Sequence, residues 1–153
     1  MPRFAKEFLL AGFSSGRIVD QQVAAGRRQD PSQTLSALRS AIPSTVSPPQ
    51  PTITRIIEII VHGEDIRRPL HIGHDYSTTH IAEALDYLRR DRNSGAKARL
   101  AGLHLHATDT DIAAGTGPSV EGPAVPMLLA ATGRSVALAE LRGPGAQTLK
   151  DRI

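Results

Sequence analysis

Three side chains able to bind metal ions or move protons lie at helical spacing in one apolar segment: Glu58, His62 and Asp65. On an α-helix, His62 lies about 40° from Glu58 and Asp65 lies about 20° to the other side, so all three project from one face. A carboxylate and an imidazole four residues apart can share one divalent ion. The same spacing also describes a solvated ion pair on an exposed helix, worth about 0.2–0.5 kcal/mol. Spacing alone leaves both interpretations open.

The segment that carries these residues, Ile53 to Arg68, is the densest apolar region of the chain. Its β-branched residues also suit a buried strand, but its length favours a helix, which Pro69 would end. Because its other faces are apolar, we expect a mostly buried helix whose narrow polar stripe looks into a cavity.

Further helices are predicted around this segment. Apolar residues at helical intervals indicate a long, interrupted helix from Phe4 to about Arg28. Asp30-Pro31 begins a second helix that ends near Ile42, and the prolines of residues 43–51 form a linker. Ser77 caps a helix that continues to about Asp91.

The character of the chain changes after Lys97. Leu103 to Ala107 alternates as a strand does, and Ser119 to Glu121 is predicted to return beside it as a β-hairpin. Short helices follow, first from Ala124 to Thr132 and then on both sides of residues 143–145. The sequence therefore predicts a mainly α protein with a helical part at 1–95 and a small α+β domain at 97–153.

Composition excludes several classes of function. With no cysteine, disulfide scaffolds, thiolate metal sites and cysteine nucleophiles are absent, so a metal would sit on His, Asp or Glu. No run of about 18 apolar residues suits a membrane span, and we expect a soluble cytoplasmic protein without a membrane partner. The net charge of +3 comes from dispersed arginines, and two Tyr and three Phe offer little stacking surface, so nucleic acid is not an expected partner.

Three stretches of the chain resemble one family. The run EIIVHGEDIRRPL (Glu58 to Leu70) is similar to the central motif of the mycothiol-dependent maleylpyruvate isomerase family, which belongs to the DinB-like superfamily of metal-binding four-helix bundles. The runs ATDTDIAAGTGPSVEGPAVPMLLAATGR (Ala107 to Arg134) and LRGPG (Leu141 to Gly145) resemble the small domain that these proteins add to the bundle. The resemblance implies a partial DinB-like bundle followed by an α+β domain.

The resemblance also implies a metal site. Glu58 and His62 would be two of three protein ligands to a divalent metal, usually zinc. The third ligand in the family is a histidine on an earlier helix, preceded by a tryptophan-containing segment. This chain has no histidine before His62 and no tryptophan. We therefore expect a bundle without its N-terminal helix: a truncated form, a form completed by a second copy, or one whose metal site is lost.

The function implied is that of a metal- and mycothiol-dependent isomerase or thiol transferase, weakly active in this shortened form. The metal would lower the pKa of the mycothiol thiol, and the thiolate would add to an electrophilic substrate such as maleylpyruvate. Asp65 would support the site or pair with an arginine, and Arg68 or Arg134 would bind a carboxylate of the thiol or the substrate. The plainer interpretations are a helix-end cation for Arg68 and a surface ion pair for Arg134.

Two alternatives complete the sequence interpretation. The remaining histidines are expected to be exposed polar residues rather than ligands: His71, His74, His80, His104 and His106.

A different class of function is a non-catalytic DinB-like helical binding module. It would self-associate as a homodimer, because a missing helix leaves an apolar face uncovered.

Overall fold

The structure, a computed structural model, describes residues 15–45 and 50–153. The chain divides into two compact units, residues 1–50 and residues 51–153. The first part of the predicted N-terminal helix, from Phe4 to Ser14, and the linker residues 46–49 lie outside the described residues.

The first unit contains two described helices, α1 (Ser15–Gly26) and α2 (Pro31–Ala41). The Asp30 carboxylate caps α2 by accepting a hydrogen bond from the Ser32 backbone N–H at 2.8 Å, and Pro31 occupies the first turn. The helix start predicted at Asp30-Pro31 is confirmed. Both helices expose large apolar side chains, namely Val19, Val23, Leu35 and Leu38, and Ile42 at the C-terminal end of α2 is exposed as well.

The second unit begins with α3 (Thr52–Arg67), so the apolar segment is a helix, as its length predicted. A 3-10 turn (Arg68–Leu70) follows, because Pro69 has no N–H to continue the α-helical hydrogen bonds. The next helices are α4 (Thr78–Arg90) and α5 (Ala96–Leu100). Ser77 caps α4 as predicted, with its hydroxyl oxygen 3.5 Å from the His80 backbone nitrogen.

A three-stranded sheet follows, made of β1 (His104–Ala107), β2 (Ala113–Gly115) and β3 (Ser119–Gly122) in the order β2-β1-β3. The predicted hairpin partner of β1 was wrong: β2 is the antiparallel returning strand, and β3 pairs with β1 in parallel. The chain reverses a second time at Gly115 and Gly117, whose φ angles of 93° and 120° only glycine adopts easily.

The C-terminal helices are α6 (Ala124–Ala131), a 3-10 helix (Ser135–Glu140) and α7 (Ala146–Lys150). They confirm the predicted class, a mainly helical protein with a small α+β C-terminal part.

One apolar core holds the second unit together. In this core α3 packs against α4, α4 against α6, and α6 against β1, so the core includes residues on both sides of residue 96, where the sequence suggested a boundary. Each large side chain that becomes fully buried contributes about 1.5–3 kcal/mol. The largest of these side chains are Leu85, Leu105, Val120, Met127, Leu128, Leu129 and Leu149. Within residues 15–45 and 50–153, no helix is both long and apolar enough to cross a bilayer.

Candidate metal site and adjoining cavity

Helix α3 brings Glu58, His62 and Asp65 together on one face, as their spacing predicted. The His62 imidazole lies between the two carboxylates, with Nε2 at 2.9 Å from Glu58 Oε2 and Nδ1 at 3.0 Å from Asp65 Oδ2. The His62 ring thus contacts one carboxylate through each of its nitrogens.

The expectation that this stripe looks into a cavity was wrong for Glu58 and His62. The side chains of Glu58 and His62 are 68% and 60% exposed, and Ile59 and Ile66 beside them are also exposed. These side chains are exposed because the opposite face of α3 packs into the core. Its buried residues repeat at helical intervals and are Ile57, Ile60, Val61 and Glu64.

Asp65 joins this stripe to the C-terminal part of the second unit. Arg134 donates two hydrogen bonds to the Asp65 carboxylate, from Nη2 to Oδ2 at 2.9 Å and from Nε to Oδ1 at 3.3 Å. These bonds lower the pKa of Asp65 below its usual value against the opposing effect of burial, and His62 lowers the pKa further. Asp65 is thus held as a carboxylate that positions the imidazole.

The buried Glu64 forms a second network, which the sequence interpretation missed. Its carboxylate accepts hydrogen bonds from Tyr76 Oη at 2.8 Å and from Arg68 Nε at 2.9 Å. Arg67 Nη1 donates to the same Tyr76 oxygen at 2.9 Å, and Arg68 also pairs with Glu140. Burial and the neighbouring Glu64 carboxylate raise the pKa of Tyr76, so its hydroxyl remains a donor.

A signal for Glu64 was present in the sequence. It lies three and four residues after Val61 and Ile60, and seven after Ile57, so it continues the apolar stripe that faces the core. No comparable local signal identifies Tyr76, because it lies in a connection between helices.

A cavity of about 580 Å³ lies beside the site. Its polar lining includes the Asp65–Arg134 pair and the Glu64–Arg68–Glu140 network, and its apolar lining is Pro69, Leu129 and Val136. Arg68 and Arg134, expected to bind a ligand carboxylate, thus face the cavity while paired with carboxylates of the chain itself. Asp65 is the residue of the Glu58–His62–Asp65 stripe that reaches this cavity.

The other histidines lie elsewhere. His71, His74, His80 and His106 are exposed, and His104 is half-buried with Nδ1 at 2.9 Å from the Gly115 carbonyl oxygen. His74 makes an edge contact with the Tyr76 ring at 4.5 Å between centroids.

The donors at Glu58 and His62 fit part of a metal site. Zinc bonds of about 2.0–2.2 Å would place two tetrahedral ligands about 3.4 Å apart, whereas Nε2 and Oε2 are 2.9 Å apart, the distance of a direct ion pair. Asp65 on Nδ1 supplies the carboxylate that usually orients a metal-bound histidine. Among residues 15–45 and 50–153, however, no three His, Asp or Glu side chains are arranged to hold an ion. Glu58, His62 and Asp65 therefore form a largely exposed chain of ionic contacts on α3.

Comparison of the chain with protein-family models, with curated proteins and with solved structures finds no match.

Proposed function

We propose that this protein is a metal- and mycothiol-dependent isomerase or thiol transferase of the maleylpyruvate isomerase type, built on a partial DinB-like bundle. The observation that supports this proposal is the continuous run of contacts Glu58–His62–Asp65–Arg134. It has the donor types and the supporting carboxylate of a histidine metal site, and two of its residues, His62 and Asp65, lie in the HGEDIRRPL motif (His62 to Leu70) of the family resemblance. The proposal keeps the cytoplasmic location expected from the sequence.

In this proposal Glu58 Oε2 and His62 Nε2 hold the divalent metal, with zinc the first choice. A metal held there would take the place of the direct contact between these two atoms, and Asp65 would orient the ring through Nδ1. Arg134 keeps Asp65 ionised, and so maintains the acceptor that His62 requires. A bound divalent metal supplies a Lewis acid that lowers the pKa of a thiol, which is the chemistry that thiol addition to an activated double bond needs.

In this proposal the electrophilic substrate binds in the cavity beside Asp65. Its carboxylate replaces that of Glu140 on Arg68, an exchange favoured by the 42% exposure of the Glu140 side chain. Arg68 remains anchored through Nε to the buried Glu64, so its other guanidinium nitrogens keep a fixed direction. Leu129 and Val136 provide the apolar wall against which the substrate carbon chain packs.

The test is mycothiol-dependent conversion of maleylpyruvate to fumarylpyruvate, measured with and without added zinc. We expect zinc-dependent turnover that H62A abolishes, because it removes a direct donor. D65N should weaken zinc binding by about 10–100-fold, the usual effect of losing a supporting carboxylate. H106A, which alters an exposed histidine on β1, is the matched control and should behave as the wild type. Turnover unaffected by H62A would contradict the proposal, and so would the absence of zinc binding.

A non-catalytic helical binding module is the second candidate. The exposed side chains of Ile59 and Ile66, 68% and 65% accessible, favour it because they give α3 an uncovered apolar stripe. If the protein is such a module, it should self-associate without zinc and without His62. Sedimentation of the wild type and of H62A in a chelating buffer distinguishes it from the first candidate.

A further inference from the structure

An acidic side chain of the protein itself occupies an arginine of the cavity beside Asp65. Glu140, the last residue of the 3-10 helix, pairs through Oε1 with Nη1 of Arg68. Both residues line the cavity of about 580 Å³. The structure thus shows a carboxylate bound to the cavity arginine, and this carboxylate belongs to the chain and not to a ligand.

Arg68 is held from its other side by the buried Glu64. Its Nε donates to Glu64 Oε2 at 2.9 Å, and Tyr76 Oη donates to the same carboxylate at 2.8 Å. Because a guanidinium is planar, a fixed Nε also fixes the directions of Nη1 and Nη2. Glu140 contacts Nη1 with one oxygen, whereas a free carboxylate can bind Nη1 and Nη2 with both oxygens. An incoming carboxylate can therefore make a stronger contact than Glu140 makes.

The Glu140 side chain can leave Arg68 while its backbone stays in place. Its carbonyl oxygen lies so close to Gly122 that a Cβ added there would meet it at 2.5 Å. Two residues later, Arg142 exchanges two backbone hydrogen bonds of 2.8 Å with Glu121. The Glu140 side chain is 42% exposed, so a change of rotamer carries its carboxylate into water.

The second arginine of the cavity is engaged elsewhere. Arg134 donates from Nη2 and Nε to the Asp65 carboxylate, and from Nη1 to the Thr132 carbonyl oxygen at 3.3 Å. All three of its nitrogens therefore have acceptors within the chain. Arg68, whose outer partner is the exposed Glu140, is the arginine at which a ligand carboxylate can exchange, so the cavity recognises one carboxylate of a ligand.

The charges of the lining make Glu140 and a ligand carboxylate mutually exclusive. Three carboxylates, those of Glu64, Asp65 and Glu140, face two guanidiniums, those of Arg68 and Arg134. A ligand carboxylate would add to this negative excess if Glu140 stayed in place, and like charges oppose such an arrangement. The ligand therefore binds with the Glu140 side chain turned away.

The rest of the lining suits a carbon chain. Leu129, Val136 and Pro69 form an apolar wall in the same cavity as Arg68. The Val136 side chain is 67% exposed, so a ligand that covers it removes apolar surface from water. A carboxylate joined to an apolar chain or ring can use both the arginine and this wall.

We propose that Glu140 is an internal competitor in a binding site for organic acids, which bind through one carboxylate and an apolar carbon chain or ring. In the free protein the Glu140 carboxylate occupies Arg68, and it rotates into solvent when the ligand carboxylate takes its place. This inference rests on the proposed function for the position of the substrate in the cavity. It adds the class of ligand and the residue that limits its affinity.

The test measures binding of benzoate to the full-length protein in a chelating buffer without zinc or mycothiol. We expect benzoate to shift the methyl NMR signals of Leu129 and Val136 and the side-chain nitrogen signals of Arg68. Benzamide has the same ring without the charge, and acetate has the charge without the ring. Each should bind at least about tenfold more weakly than benzoate, because each lacks one of the two contacts.

The variant E140Q tests the competitor directly. It removes the negative charge that opposes the ligand and weakens the contact with Arg68, so the Kd for benzoate should fall by about five- to tenfold. E121Q is the matched control, because Glu121 pairs with Arg142 outside the cavity, and it should leave the Kd unchanged. Glu140 is exposed and Glu121 is half-buried, and circular dichroism checks that both variants remain folded.

The failures of the two proposals are distinguishable. An unchanged Kd in E140Q would overturn the role of Glu140, and equal binding of benzamide would overturn recognition of a carboxylate. Absence of benzoate binding would overturn the site, while zinc-dependent turnover of maleylpyruvate would still support the proposed function. Benzoate binding that E140Q tightens, in a protein without mycothiol-dependent turnover, would support this site and contradict the proposed function.

Discussion

Asp65 is the residue on which the candidate site depends, because it contacts both His62 and Arg134. Replacing Arg134 by Gln removes the hydrogen bonds that most lower the Asp65 pKa. We expect the pKa of Asp65 in R134Q to rise toward the usual value for aspartate. A carboxyl-carbon NMR titration measures the change, and an unaltered Asp65 midpoint would contradict the assignment.

The same substitution has a pH-dependent effect on stability. A carboxyl group whose pKa is lower in the folded protein stabilises it above the unfolded pKa, and this contribution is lost as pH falls through the folded pKa. Because Asp65 is 40% exposed, solvent screens the pair and we expect R134Q to cost about 0.5–1 kcal/mol at pH 7. The difference from the wild type should shrink below about pH 4. R90Q, which breaks the more exposed Arg90–Asp86 pair, is the control and should change urea stability less.

The sequence predicted part of this residue-scale arrangement. Helical spacing correctly placed Glu58, His62 and Asp65 on one face, because that relation is local. The sequence also predicted an arginine partner for Asp65 and an ion pair for Arg134. It did not predict that these two residues pair with each other, because they are 69 residues apart. Such a contact depends on how α3 packs against the residues that follow α6, which periodicity does not encode.

At the scale of elements, Tyr76 in the segment between α3 and α4 donates a hydrogen bond to the Glu64 carboxylate on α3. This bond holds the segment against α3. Y76F removes the hydroxyl that donates to this buried carboxylate. We expect a loss of about 1–2 kcal/mol in unfolding free energy, because a buried acceptor then lacks a partner. Urea unfolding of the variant and the wild type measures it.

Y87F is the matched control for this prediction. Tyr87 lies on α4 and packs against the core, and its hydroxyl has no hydrogen-bond partner among the described residues. The same loss of one oxygen should therefore change stability by less than about 0.5 kcal/mol. Equal losses in Y76F and Y87F would show that the Glu64 network contributes little.

Elements with strong local signals were predicted correctly, and those that depend on pairing were not. Asp30 and Ser77 are helix caps whose hydrogen bonds close within three residues, so sequence reveals them. The choice between β2 and β3 as the returning strand depends on non-local pairing, and AAG has little strand character by composition. Two of its three residues are alanine and the third is glycine, so only the pairing with β1 defines the strand.

At the scale of the molecule, residues 51–153 contain a continuous core that includes α3, α4, the sheet and α6. We therefore expect a chain of residues 51–153 to fold alone and to unfold in one cooperative step. Circular dichroism of the helices and NMR signals of Leu105 in the sheet should give the same urea midpoint. Two separate midpoints would show that the helices and the sheet are independent.

Substitution within this core should affect both probes together. L85A removes a fully buried side chain and should cost about 2–5 kcal/mol, because it leaves a cavity between elements. V136A, at a side chain that is 67% exposed, is the control and should remain within about 0.5 kcal/mol of the wild type.

The contrast between the short-range sheet and the long-range Asp65–Arg134 pair has a consequence for the order of folding. The sheet pairs residues 7 to 15 positions apart, from His106 with Ala113 to His104 with Ser119, so little chain entropy opposes its early formation. The Asp65–Arg134 contact joins residues 69 positions apart, so we expect it to form after the rate-limiting barrier. Stopped-flow kinetics should show R134Q unfolding faster than the wild type, with a folding rate within about twofold of it. Slower folding with an unchanged unfolding rate would instead place this ion pair in the folding nucleus.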